Sequence, residues 1–345
     1  MLPIHYLLFI PPTLLFGYYL GRKIKNSFKI KRTILFWILY WTIILGSVLT
    51  LSFPTIVFAY TVALFLLYDF LRWVAKKMRN KKFSLFLDKA YLGGLPLFFI
   101  ALLFTAYGMY SARNPIIQSY KVEVDKKMKS SLTIVLLSDL HLGTGTNENT
   151  VDTIIKMVNK QKADIFLIAG DLYDERTSNT LKNYAFENLG KAKTKYGTYY
   201  VEGNHDLLTG TVRSKMRLND IIPLEDEKIL IDQSFYLIGR KDKKHKRATL
   251  QELITDIDHK YPIILLDHRP EEENLALREG IDLQLAGHTH AGQIFPGNFF
   301  LKYGYFKKED FHLIVSTGYG NWGIPVRTYT KNELVKIKVT EKKQT

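Results

Sequence analysis

The sequence predicts an apolar, helical part over residues 1–118, followed by an α/β domain over residues 119–345. Three observations predict this division. Lys and Arg outnumber Asp and Glu by 14 to 2 up to Gln118, but by only 34 to 31 afterwards. Long apolar stretches fill the first part, whereas short β-rich runs alternate with amphipathic stretches in the second. Such alternation is typical of layered α/β domains.

Four stretches of the first part are candidates for membrane spans: residues 4–20, 33–51, 55–73 and 90–110. A spanning helix needs about 20 mostly apolar residues. The second and third stretches meet this length, whereas the first is short and, like the fourth, contains proline. Buried core helices are the alternative interpretation, but four apolar stretches in succession, interrupted by basic runs, favour a membrane region.

The charge between these stretches predicts their orientation. Basic residues crowd the first and third links, whereas the link Ser52-Phe53-Pro54 carries no charge. Under the positive-inside rule both basic links are cytoplasmic. We therefore expect a multi-pass membrane protein whose C-terminal domain faces the periplasm or the exterior. The nearly balanced charge of that domain argues against nucleic-acid binding.

Periodicity predicts the elements of the second part. Helical spacing places Ile154, Ile155 and Val158 on one face of a helix over residues 150–162, and a second helix is predicted over residues 181–195. Short apolar runs predict ten strands. The strands cover residues 122–124, 132–137, 165–169, 198–202, 229–231, 235–238, 263–266, 283–286, 313–316 and 334–339.

Five of these strands end just before side chains that can bind a metal. These side chains are Asp139 and His141, then Asp171, then Asn204, His205 and Asp206, then Asp267 and His268, and finally His288 and His290. Ligands of α/β sheets bind at the carboxyl ends of strands. Carboxylates and imidazoles gathered there would repel and desolvate one another unless cations held them.

The donor types indicate which metals fit. The chain has no cysteine, which excludes disulfides, thiolate zinc sites and a cysteine nucleophile. Carboxylate, imidazole and amide donors suit Mn²⁺, Fe²⁺ or Zn²⁺. Seven donors taken from these side chains are too many for one ion and suit two ions that share a carboxylate, roughly 3.5–4 Å apart. Such a pair clamps the attacking and leaving oxygens of a phosphoryl group and activates a water as the nucleophile.

Five motifs in chain order resemble the motif set of the calcineurin-like metallophosphoesterases: Asp139-Leu140-His141, Gly170-Asp171, Gly203-Asn204-His205-Asp206, His268 and Gly287-His288-Thr289-His290. The continuation Ala291-Gly292-Gln293 is similar to the membrane-attached bacterial branch, although Ala291 replaces a more usual glycine. The resemblance covers residues 132–339. It implies a four-layer αββα sandwich, phosphoesterase activity and, with the apolar stretches, a place in the bacterial plasma membrane.

The resemblance also implies a role for each site residue. One metal would be held by Asp139, His141 and His290, and the other by Asn204, His268 and His288, with Asp171 bridging both. His205 would stay outside the ligand set and protonate the leaving oxygen or stabilise phosphoryl charge, and Asp206 would orient its imidazole. Asp174 is expected to be a helix cap or an acid behind a ligand. Arg327, in a Gly-rich segment similar to one near the site in that branch, would contact phosphate.

These residues do not indicate which phosphate ester is the substrate. Phosphomonoesters, phosphodiesters and pyrophosphate-linked lipids all suit a two-metal site. Attachment to a membrane makes a lipid-linked or envelope phosphate our hypothesis. Two alternatives are a catalytically silent membrane sensor or scaffold and a cytoplasmic-facing pyrophosphohydrolase of lipid precursors. The complete ligand set argues against the first, and the positions of the basic links argue against the second.

Overall fold

Five helices come first along the chain. The computed structural model describes residues 10–50, 52–143, 145–175 and 177–342, and the chain divides into two compact units, Met1–Met109 and Tyr110–Thr345. The helices are α1 (Ile10–Ser27), α2 (Thr33–Thr50), α3 (Phe53–Lys77), α4 (Lys81–Tyr91) and α5 (Leu95–Arg113).

Two helical stretches among the described residues are long and apolar enough to cross a membrane. They are α3 and the run Lys81–Arg113, which contains α4 and α5 and includes the predicted stretch 90–110. The apolar part of α2, Thr33–Gly46, is shorter. Residues 4–9 of the first predicted stretch and residue 51 of the second lie outside the described residues.

The second unit contains two six-stranded sheets. The first has the order β1-β12-β2-β3-β4-β5, formed by β1 (Ile116–Val124), β2 (Leu132–Leu137), β3 (Ile165–Ala169), β4 (Thr198–Val201), β5 (Ile221–Pro223) and β12 (Glu333–Glu341). The second has the order β10-β11-β9-β8-β7-β6, formed by β6 (Glu227–Ile231), β7 (Phe235–Gly239), β8 (Ile263–Leu266), β9 (Leu283–Ala286), β10 (Gly304–Lys308) and β11 (Phe311–Val315). The central strands of both sheets are parallel, since β2 to β5 run together and so do β7, β8, β9 and β11.

Alternating side chains build a core on each face of both sheets. In β3, Leu167 and Ala169 pack between the sheets, whereas Phe166 and Ile168 pack under the outer helices, as the period of two in a strand requires. The first sheet is covered by α6 (Glu148–Lys160), α7 (Asn179–Leu189) and α8 (Gly210–Leu218), and the second by α9 (Leu250–Ile254) and α10 (Glu273–Arg278). The domain is therefore the predicted αββα sandwich.

The outer helix α6 shows how the sequence sets an element. Asn147 caps its first turn by accepting a hydrogen bond from the backbone N–H of Thr150 at 3.2 Å. Val151, Ile154 and Val158 recur at helical spacing and are buried, and each contributes roughly 1.5–3 kcal/mol by leaving water. The predicted helix 181–195 ends earlier, at Leu189. Ala192 packs on the same core from the loop that follows, so the helical spacing of apolar residues continues beyond the end of the helix.

Candidate active site

The carboxyl ends of five strands meet at one edge of the sandwich. The strands β2, β3 and β4 come from the first sheet, and β8 and β9 from the second. The His268 ring donates Nδ1–H to the carbonyl oxygen of Ala169 at 2.7 Å, and the backbone N–H of His288 lies 3.0 Å from both carboxylate oxygens of Asp139. These bonds join the loops of the two sheets and bring the predicted ligands together.

The loops after these strands hold unusual backbone conformations. Five of the seven predicted ligands have left-handed φ values: Asp139 (52°), His141 (47°), Asp171 (50°), His288 (71°) and His290 (48°). For residues other than glycine such conformations cost roughly 1–3 kcal/mol each, and they cluster at functional sites. The loops therefore give up stability in order to place these side chains.

A glycine after β3 lets the loops approach closely. Gly170 has a φ of +77°, and a Cβ there would lie 2.6 Å from the backbone nitrogen of Gly203 and 2.7 Å from Nδ1 of His268. Any side chain would push these loops apart, which explains why glycine stands between the apolar strand and Asp171.

Asp139, His141 and His290 form what we call the first cluster. The Nε2 atoms of the two histidines lie 3.0 Å apart, and Nε2 of His290 lies 3.4 Å from a carboxylate oxygen of Asp139. All three residues are buried. Their ligand atoms are close enough to hold one metal ion.

Asp171, His268 and His288 form the second cluster, with Asn204 beside it. Nε2 of His268 lies 3.3 Å from Oδ2 of Asp171 and 3.0 Å from Oδ1 of Asn204. Oδ2 of Asp171 also lies 3.8 Å from Nε2 of His141, in the first cluster. The Asp171 carboxylate therefore stands between the two clusters.

Partners outside the clusters orient two of the histidines. Oδ1 of Asp174 lies 2.7 Å from Nδ1 of His141, and the Ala169 carbonyl holds Nδ1 of His268. Each of these contacts leaves Nε2 pointing into the site, which is the usual arrangement behind a metal-binding imidazole. Asp174 thus lies behind the predicted ligand His141, which is one of the two roles expected for it from the sequence.

This donor set fits cations. With Nδ1–H of His268 donated to Ala169, a neutral ring presents a lone pair to the oxygens of Asp171 and Asn204, and these acceptors repel unless a proton or a metal ion lies among them. Burial lowers the pKa of His268, but the Asp171 carboxylate outweighs it and raises this pKa to about 10. Burial, helped by His268 and Arg269, lowers the pKa of His288 to about 4, which keeps that ring neutral for metal binding.

Arg269 is a site residue that the sequence reasoning missed. Its Nη1 lies 3.2 Å from Nε2 of His288, and its Nε donates to the buried carboxylate of Asp242 at 2.7 Å. Asp242 therefore holds the guanidinium beside the second cluster. The signal in the sequence was the position of Arg269 directly after His268.

Arg327, expected to contact phosphate, is enclosed in the protein behind His290. It has no exposed surface, and its guanidinium donates to the Gly320 carbonyl at 2.8 Å and to Oδ1 of Asn321 at 3.2 Å. Its Nη2 lies 3.4 Å from Nδ1 of His290. An enclosed side chain with these partners supports His290 from behind and does not present its charge to a substrate.

The side chains of His205 and Asp206 differ in their exposure and in their neighbours. The His205 side chain is 37% exposed and its ring centroid lies 5.2 Å from that of His141. The Asp206 carboxylate is buried and accepts hydrogen bonds from Tyr173 N, Tyr200 Oη and Gly203 N, none of them from the His205 ring. Burial and the nearby Asp171 charge raise the pKa of Asp206 to about 6. Asp206 therefore does not pair with the His205 ring as expected, and its hydrogen bonds hold the loop instead. Oδ1 of Asp174 lies 4.0 Å from Nδ1 of the His205 ring.

Comparisons with known proteins show which family the chain belongs to. Residues 132–292 match the family model of the calcineurin-like phosphoesterases. An uncharacterized metallophosphoesterase of Campylobacter jejuni is 31% identical over 301 residues, which cover 81% of this chain and 78% of that protein. A transmembrane protein with metallophosphoesterase domain from Bos taurus is 33% identical, over 66% of this chain and 57% of that protein. A crystal structure of a Thermus thermophilus protein aligns with a TM-score of 0.38 at 12% identity, over 56% of this chain and 91% of that one. The chain belongs to the calcineurin-like phosphoesterases and is a hydrolase of phosphate esters.

Proposed function

We propose that this protein is a membrane-anchored phosphoesterase that uses two divalent metal ions, with its substrate in or near the lipid bilayer. One ion would be held by Asp139, His141 and His290, and the other by Asn204, His268 and His288, with Asp171 shared. The observation that carries this proposal is the position of the Asp171 carboxylate, with Oδ2 3.3 Å from Nε2 of His268 and 3.8 Å from Nε2 of His141. One carboxylate between two such clusters is what a pair of ions requires.

The chain supplies the rest of the chemistry. Metal ions in these sites, with Mn²⁺, Fe²⁺ or Zn²⁺ matching the donors, would polarise the phosphoryl group and lower the pKa of a water. His205, exposed beside the first cluster, is placed to protonate the leaving oxygen or to stabilise charge on the phosphoryl oxygens. Arg269 brings a fixed positive charge to the second cluster, where it would orient an anionic substrate.

The membrane part of the proposal rests on the apolar helices. The helix α3 and the run Lys81–Arg113 have the length and composition of spans, and the bovine relative is named a transmembrane protein. The basic links of the sequence favour a catalytic domain outside the cytoplasm. A phosphate group at the membrane surface, such as that of a phospholipid or a lipid-linked envelope intermediate, is the substrate class within reach.

An activity panel with the purified full chain tests the proposal. The protein is stripped with a chelator and assayed on p-nitrophenyl phosphate, bis-p-nitrophenyl phosphate, soluble nucleotides and lipid phosphates in micelles, with and without added Mn²⁺. We expect activity only after Mn²⁺ returns, and the highest rate on lipid phosphates. An Asp171→Asn protein purified in parallel controls for contaminating phosphatases. Activity that survives chelation would contradict the metal assignment, and turnover of nucleotides alone would contradict the lipid substrate.

A reporter fused after Thr345 tests the orientation separately. We expect alkaline phosphatase to be active there and a fluorescent protein that folds only in the cytoplasm to be dark. The reverse pattern would place the catalytic domain in the cytoplasm and favour the lipid-precursor pyrophosphohydrolase.

A further inference from the structure

Four large aromatic side chains project into solvent near the candidate active site. Phe299 is 68% exposed, Phe300 81%, Trp322 63% and Tyr329 59%. We call these four residues the aromatic rim. Soluble proteins rarely leave large apolar groups clustered in water, and where they do the patch usually binds a partner or a membrane.

Hydrogen bonds and ring packing make the rim one structure. Phe299 packs edge-on against Phe295 at a centroid distance of 5.5 Å, and Phe295 N donates to Thr328 Oγ1, next to Tyr329, at 2.9 Å. The Gln293 side chain accepts from the backbone N–H of Trp322 at 3.0 Å and donates to its carbonyl at 3.2 Å. The two segments that carry the rim are therefore fixed to each other.

The rim is also tied to the first cluster. The backbone N–H of Gln293 donates to the carbonyl of His290 at 2.9 Å, so Gln293 connects Trp322 with a predicted metal ligand. Whatever surface the rim contacts thus lies close in the structure to the first cluster.

The segment that carries Tyr329 is joined to the end of α5. The Ser111 hydroxyl donates to the Thr330 carbonyl at 3.0 Å, and the Asn332 side chain donates to the Ala112 carbonyl at 2.8 Å. Ser111 and Ala112 are buried in this contact. Because α5 ends the apolar run that can cross a membrane, the segment that carries Tyr329 is held beside the last residues of that run.

We infer that the aromatic rim lies in the headgroup layer of the bilayer and holds the candidate active site near the membrane surface. Trp and Tyr prefer this layer because their rings leave water while their polar atoms remain hydrated, and Phe is common on the apolar faces of helices that lie in it. Arg113 and Lys331, both exposed beside the Ser111 contact, add charge that anionic headgroups attract. The occupant of this surface is therefore lipid, and the inference rests on the membrane anchoring proposed above.

The absence of cysteine from the chain permits a direct test. The variants Phe300→Cys and Trp322→Cys are labelled with a fluorophore in the full-length protein and reconstituted into nanodiscs of phosphatidylethanolamine and phosphatidylglycerol. Quenching by doxyl-labelled lipid is compared with quenching by aqueous iodide. Leu218→Cys, at a position 83% exposed on α8, is the matched control for a solvated apolar site, and Leu67→Cys on α3 is the control for a span.

We expect doxyl lipid to quench both rim labels at least about twofold more than the label at position 218, and iodide to quench them less. Rim labels that behave like position 218 while position 67 reports lipid would overturn the rim and leave the anchor standing. If position 67 also reports water, the anchor fails and the rim with it. Rim labels shielded from both quenchers would indicate a protein partner and would equally overturn the inference. None of these readouts requires phosphoesterase activity.

Discussion

The two ligand clusters are supported in different ways. In the first, the partly exposed Asp174 holds His141 and the enclosed Arg327 lies behind His290, so charged side chains orient both rings. In the second, a backbone carbonyl holds His268, and Arg269, whose guanidinium is fixed by Asp242, lies beside His288. Asn204 and His288 are also only partly buried.

This difference suggests a division of labour. Buried ligands resist rearrangement, because an alternative position leaves a buried charge or donor unpaired. The first cluster is therefore suited to retaining an ion, and the more open second cluster to meeting the substrate. Four predictions test this comparison.

Asp171→Asn should disable both clusters together. The substitution removes the negative charge that both share, and a loss of about 4 kcal/mol of transition-state stabilisation corresponds to kcat falling by about 10³-fold. Metal content measured by plasma mass spectrometry should fall well below two ions per chain. A variant that keeps two ions and full turnover would show that the carboxylate between the clusters is not a shared ligand.

His205→Ala should separate catalysis from metal binding. Because the ring lies beside the first cluster but outside both, we expect an unchanged metal content and a kcat lower by about 10²-fold. The loss should be greatest for substrates whose leaving group is a poor one, since those need the proton most. His259→Ala, which changes an exposed histidine of the α9–β8 loop, serves as the control. Equal losses for p-nitrophenyl and alkyl esters would argue against proton donation.

The residues at the strand ends were predictable from sequence, whereas the arginines that lie against the predicted ligands were not. Asp139, Asp171 and His268 each follow a short apolar run, and parallel strands bring such positions to one edge whatever the loops do. Arg327 was misjudged because a Gly-rich neighbourhood does not reveal whether a side chain faces the site or the core. Arg269 was missed because its role depends on Asp242, a distant residue that no local pattern connects to it.

The elements of the fold were also predictable only where the local sequence determines them. Strands β2, β3, β8 and β9 were predicted at their observed bounds because they are buried on both faces and read as unbroken apolar runs. The prediction omitted β5, which has only three residues, and β10, whose residues are mostly exposed and which is fixed by its pairing with β11. The short helices α8, α9 and α10 were also omitted, because five to nine residues give too few turns for a helical period to show.

Asp174→Asn should weaken the first cluster alone. The amide keeps the shape of the side chain but removes the charge that faces Nδ1 of His141, and losing such a partner typically lowers metal affinity by about 10–100-fold. Titration of the stripped protein with Mn²⁺ should then show one weakened and one unchanged site. Asp152→Asn is the matched control, because that acid also bonds a ring substituent, Tyr184 Oη, but does so away from the site. Equal weakening of both sites would indicate that the clusters are not supported separately.

Arg269 and Arg327 should differ in whether their substitution changes KM or thermal stability, and this is the smallest of the expected effects. Arg269→Lys should raise KM by about tenfold, equivalent to about 1.4 kcal/mol, because a lysine cannot bond Asp242 and a phosphoryl oxygen together. The thermal midpoint of unfolding should change little, since the position is partly solvated. Arg327→Lys should do the opposite and lower that midpoint at nearly constant KM, because it leaves buried acceptors such as the Gly320 carbonyl unpaired. If Arg327→Lys instead raised KM at unchanged stability, the enclosed arginine and not Arg269 would be the one that meets the substrate.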